Sequence, residues 1–72
     1  MKLERNKQIA ISVLRGMTYE DASLKHDITR KRVEQITRRA ISRVDPEVAE
    51  NYDIKALRKD CDRLIKKITN LD

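Results

Sequence analysis

From Thr29 to Val44 the chain reads TRKRVEQITRRAISRV. Val33, Ile36, Ala40, Ile41 and Val44 recur at steps of three and four, a spacing that an α-helix gathers onto one side and a strand scatters. The other side is charged. Six of the 17 basic residues of the chain, but one of its 12 acids, lie between Arg30 and Arg43, so this stretch holds the whole formal charge of +5 while the remainder cancels. A helix that meets only water usually interleaves its signs; a one-sided surplus of arginine points to an anionic partner.

The rest of the composition agrees with a helical chain. With one Gly, one Pro and no alternating Val/Ile/Thr run, nothing favours a sheet, and the fold class expected is all-α. Seventy-two residues make one domain, burying about 60% of the surface exposed when unfolded. Without Phe or Trp and with two Tyr, the core must be built from Ile, Leu, Val and Ala, so a second copy would add useful contact. A single cysteine, Cys61, excludes an intrachain disulfide. No apolar stretch approaches the roughly 20 residues of a membrane span, and the N-terminus lacks the apolar segment of a secretory signal, so a cytoplasmic protein without membrane contact is expected.

Taken in order, a first helix is expected from about Glu4 to Arg15, with Leu3, Ala10, Val13, Leu14 and Met17 on one stripe and Ile9 beside it. Gly16 suits the left-handed residue that closes a helix. Thr18 offers an N-cap, followed by Glu20 and Asp21 where the helix dipole favours acids, for a short helix from Tyr19 to about His26. Asp27-Ile28-Thr29 interrupts it, with Ile28 as a plug into the core and Thr29 as the cap of the basic helix. Asp45-Pro46 closes that helix and opens a short one to Asn51. Beyond it, Ile54, Leu57, Cys61, Leu64, Ile68 and Leu71 alternate by three and four, widened by Ile65, and predict one amphipathic helix. Flanking charges pair poorly across a parallel copy, where Asp60 would face Ile65. Broad packing on the domain, on a twin, or on both is therefore expected rather than a long coiled coil. The chain thus divides into residues 1–44, two helices and a basic third one, and residues 45–72, a linker turn and a packing or dimerisation helix.

Met17-Thr18-Tyr19-Glu20-Asp21, followed by Asp27-Ile28-Thr29-Arg30-Lys31-Arg32-Val33-Glu34-Gln35-Ile36, resembles the fourth conserved region of bacterial sigma factors, in which a helix-turn-helix reads promoter DNA. The similarity spans about Asn6 to Val44 and is most specific in Thr29-Arg30-x-Arg32-Val33-x-Gln35-Ile36, continued by Arg39-Ala40-Ile41. The C-terminal helix lies outside it, and there is no room for the other sigma regions. The resemblance implies that Arg30, Lys31 and Gln35 reach base edges, with Thr29, Arg32 and Arg38 toward phosphates. Residue chemistry points the same way: arginine matches the O6/N7 edge of guanine, glutamine the N6/N7 edge of adenine, and the start of a recognition helix lies deepest in the major groove. Lys31 and Glu34 depart from the family, which often carries an acid and a base there, so its target sequence does not transfer.

Arg39 and Arg43, farther along the same helix, complete the expected DNA-binding set, and each of these residues also has a plainer reading. Lys31, Arg38 and Arg43 suit a solvated helix, Arg32 suits an ion pair, Gln35 is a fair helix former, Glu34 tempers repulsion, and Arg39 faces sideways toward the C-terminal helix. His26, Tyr19 and Tyr52 read as packing groups, and Cys61 as a small core residue rather than a redox sensor. The function expected is a sequence-specific, double-stranded DNA-binding regulator, dimeric through Ile54, Leu57, Cys61, Leu64, Ile65, Ile68 and Leu71. The alternative is a sigma-like module that binds RNA polymerase or another transcription protein through that seam. With one His, one Cys, no glycine-rich phosphate loop and no metal-spaced cluster, neither an enzyme nor a cofactor is expected.

Overall fold

The computed structural model describes residues 2–59 and 61–71, with side chains from Glu4 onward. Among them the chain forms α1 (Lys2–Leu14), α2 (Tyr19–His26), α3 (Arg30–Val44), α4 (Pro46–Glu50), α5 (Ile54–Lys59) and α6 (Cys61–Thr69), and no strand. The all-α class expected from periodicity is the one observed.

Local chemistry sets the boundaries. Gly16 adopts φ 117°, a left-handed value, after the last turn of α1. Thr18 Oγ1 accepts from the Asp21 amide at 3.0 Å, and Thr29 Oγ1 from the Arg32 amide at 3.1 Å, so both expected caps are made. The break between α2 and α3 is closed by Asp27, the first residue of the interrupting tripeptide. Asp27 takes φ 55° and its amide returns to the Ser23 carbonyl; a short polar side chain tolerates that conformation where most would not. Asp45 accepts from the Val48 amide at 3.3 Å with Pro46 in the first turn of α4.

Two apolar clusters hold these helices. The smaller joins Ile9 and Val13 of α1, Ala22 of α2, and Val33 and Ile36 of α3, with Met17, Tyr19 and Ile28 packed at its edge. The larger joins Ala10 and Leu14 to Ala40 and Ile41 and is closed by Leu57, Leu64, Ile65 and Ile68. The C-terminal segment therefore packs in cis: Leu64 and Ile68 are 2% and 0% exposed within one chain, while Ile54, Cys61 and Leu71 are partly covered at the edge of that core.

The amphipathic segment expected from Ile54 is helical over Ile54–Lys59 and Cys61–Thr69, α5 and α6. Asp60, used above to weigh pairing across a twin, and the Leu3 side chain, assigned above to the α1 stripe, lie outside the described residues. Half-buried Arg58 accounts for the placement of α5. Its Nε donates to the Val13 carbonyl at 3.1 Å and its Nη2 to the Met17 carbonyl at 3.0 Å, satisfying carbonyls at and beyond the end of α1.

Candidate nucleic-acid interface

At about 100° per residue, α3 turns Val33, Ile36, Thr37, Ala40 and Ile41 inward, and all five are buried. Thr37 satisfies its hydroxyl on the Val33 carbonyl at 2.8 Å, which lets a polar residue sit in that row. Lys31, Gln35, Arg38, Arg39, Ser42 and Arg43 are exposed, as are Thr29 and Arg30 at the start of the helix; Arg32 is half-buried.

The same rotation sorts the exposed groups. Lys31, Gln35 and Ser42 occupy the centre of the outward arc, with Arg38 on one flank and Arg32, Arg39 and Arg43 on the other. Arg30 lies about 140° from Gln35 around the axis, on the side of Glu34 and Arg38. Arg30 shares the first turn of α3 with Lys31, while Gln35, the third residue expected at base edges, stands in the second turn.

The Arg38 flank is braced from outside α3. Its guanidinium carbon stands 5.3 Å from the centroid of the Tyr52 ring, within the range of a cation–π contact. The Tyr52 hydroxyl is hydrogen-bonded to that of Tyr19, so a residue between α4 and α5 ties the first turn of α2 to the basic helix. Burial, the Tyr19 hydrogen bond and the nearby Glu34 carboxylate raise the Tyr52 pKa far above its ordinary value, with Arg38 opposing them. Glu34 is half-buried and, by helix rotation, lies on the Arg38 side of α3 rather than at the centre of the outward arc. The tyrosines read in sequence as packing groups; their pairing across 33 residues had no local signal.

On the opposite flank, Arg32, Arg39 and Arg43 line a groove whose far wall is α1 and the C-terminal end. Arg39 and Leu71 both border that groove. His26 is half-buried at the end of α2, and half-buried Cys61 lies against the larger core with its thiol 3.9 Å from an Asp62 carboxylate oxygen.

Chemically, the outward arc offers a lysine ammonium, guanidinium forks and a primary amide on a rigid rod of major-groove width. Among the described residues no group of three or more His, Cys, Asp or Glu side chains is placed to hold a metal ion, and no helix is long and apolar enough to cross a membrane. Compared with protein-family models, with curated proteins and with solved structures, the chain matches none of them, and what this face does must be argued from its own chemistry.

Proposed function

We propose that the protein is a sequence-specific double-stranded DNA-binding transcription regulator that lays α3 in the major groove. The observation that supports this most is the exposed arc of α3. The residues expected at base edges, Arg30, Lys31 and Gln35, are all in the solvent, and Val33, Ile36, Ala40 and Ile41 beneath them keep the helix rigid. The three-residue turn between α2 and α3, capped at both ends, suits the resemblance to sigma region four. In this reading Arg30 and Gln35 discriminate bases, Lys31 adds a base or phosphate contact, and Thr29, Arg32, Arg38, Arg39 and Arg43 supply affinity through the backbone.

Each chain is proposed to read DNA as a unit folded in its own right, because its apolar seam is occupied in cis. About four phosphate contacts per chain give a log–log salt slope of roughly −4, and two chains roughly −7. A homodimer through the C-terminal segment would then rest on the outer side of α6 and on the partly covered Ile54, Cys61 and Leu71. Sedimentation with and without duplex separates the two stoichiometries.

Selection from a random duplex pool at two salt concentrations tests the proposal. One enriched motif, retained at the higher salt and lost with Arg30→Ala/Gln35→Ala, is expected. Recovery of unenriched sequence would reduce the protein to a nonspecific binder and overturn the reading.

A further inference from the structure

The groove between α1, α3 and the C-terminal end has a volume of about 410 Å³, within the range of small-molecule sites. Its cations come from two helices: Lys7 of α1 stands across from Arg32, Arg39 and Arg43 of α3, with Asn6 and Ser42 adding neutral polar groups. Among the described residues, no carboxylate lines it. Its floor is apolar, made by Ile36, Ala40 and Leu71. Lys7 Nζ donates to the Leu71 carbonyl, which fixes the ammonium at the rim and the C-terminal end against α1.

Three guanidinium groups and an ammonium converge on one concavity. Like charges held close on a folded surface repel, and a multivalent anion relieves that repulsion while arginine forks match phosphate oxygens two at a time. DNA backbone phosphates offer charge but little apolar body to lie against half-buried Leu71 and the small exposed edges of Ile36 and Ala40, 3% and 7% exposed. A small molecule with a phosphate beside an apolar or aromatic part satisfies both the rim and the floor. We infer that this groove is a binding site for a small organic phosphate, held by Arg39 and Arg43 with Lys7 and Arg32, and with its apolar part on Ile36, Ala40 and Leu71. Because Arg39 and Arg43 are also proposed phosphate contacts for DNA, occupancy of the groove lowers DNA affinity; that coupling, unlike the site, rests on the DNA-binding reading.

Calorimetric titration of the full chain with phenyl phosphate and with inorganic phosphate, at fixed ionic strength, tests the site without DNA. Saturable one-to-one binding is expected, tighter for phenyl phosphate when measured at about pH 8.5, where both ligands are dianions and differ in what they lay on the floor. Arg39→Gln/Arg43→Gln should weaken it at least tenfold. Arg15→Gln/Lys25→Gln, which removes the same charge from exposed positions elsewhere, should leave it within about twofold, and thermal melts verify that both variants fold. Absence of saturable binding, equal weakening by the two double variants, or equal affinity for the two phosphates would overturn the assignment. If duplex binding alone responds to Arg39→Gln/Arg43→Gln, the groove takes backbone phosphates and the small-molecule site falls. A duplex titration with and without phenyl phosphate reads the coupling: unchanged DNA affinity at saturating ligand removes it, whereas loss of all DNA binding removes the DNA reading and leaves the phosphate site standing.

Discussion

The two apolar clusters share α1 and α3 but take neighbouring residues from each. Ile9 and Val13 serve the smaller cluster while Ala10 and Leu14 serve the larger; Val33 and Ile36 serve the smaller while Ala40 and Ile41 serve the larger. The smaller cluster, closed by Ala22 of α2 and edged by Ile28, lies under the half of α3 that carries Arg30, Lys31 and Gln35. The larger, closed by α5 and α6, lies under the half that carries Arg39 and Arg43. The difference teaches that the basic helix has two supports. A turn close in sequence aims its first half, and a segment more than a dozen residues away anchors its second.

Ending the chain after Val44 is the most severe way to break this comparison. It removes Leu57, Leu64, Ile65 and Ile68, whose burial contributes roughly 6–12 kcal/mol, against a total stability of about 4–11 kcal/mol for a chain of this length. Loss of cooperative thermal unfolding and of most helical circular dichroism is expected; a truncated chain that still melts cooperatively would show that the smaller cluster suffices. Next in size, Arg30→Ala/Gln35→Ala should lower affinity for the selected duplex by about 4 kcal/mol, roughly a thousandfold in Kd, with thermal stability nearly unchanged. Fluorescence anisotropy reads it, and wild-type affinity in the variant would show that the first half of α3 is not what recognises DNA.

Ile68→Ala should reduce stability by about 3 kcal/mol in urea denaturation, since its fully buried side chain leaves a cavity between α6 and the helices it packs on. A loss under about 1 kcal/mol would demote the larger cluster as an anchor. Thr29→Ala removes the cap of α3 and should cost about 1 kcal/mol, with faster amide exchange at Arg32 and the neighbouring first turn than near Ser42; Thr29→Ser should restore it.

The smallest effect concerns the tie between the halves. Tyr52→Phe keeps a ring beneath Arg38 but deletes the hydroxyl pair with Tyr19, and should cost about 1 kcal/mol at neutral pH. The folded protein holds the Tyr52 phenolic proton to higher pH than the unfolded chain, whose phenol titrates near 10.0. Below that pH this contribution is fully present. Above it the unfolded state releases the proton first, so stability falls as pH rises further. Denaturation midpoints from pH 8 to about 11 should therefore decline more steeply in wild type than in Tyr52→Phe; parallel profiles would mean that the hydroxyl pair does not couple to folding.

Much of this architecture was legible because it depends on neighbours along the chain. Thr18, Thr29 and Asp45 cap within three residues of themselves, Gly16 answers a local backbone demand, and the three-and-four spacing of Val33 to Ile41 is a property of one helix. Exposure of the proposed DNA-facing residues followed from the same spacing, and Arg32 alone of that set proved half-buried. What was not legible joins distant positions. Arg58 reaches the end of α1, Tyr52 meets Tyr19 and Arg38, and Lys7 meets the Leu71 carbonyl; none leaves a periodic trace.

The sequence by itself determined that this chain is helical, where most of its helices begin and end, and that one of them carries the net charge, because caps, glycine conformation and apolar period act over a few residues. Tertiary structure decided that the apolar seam turns inward on its own chain, that Tyr52 joins Tyr19 to Arg38, and that Arg32, Arg39 and Arg43 border a groove with Lys7. Those outcomes depend on which surfaces fit together once the helices exist, and that fit is a matter of shape and packing across the whole fold rather than of spacing along it.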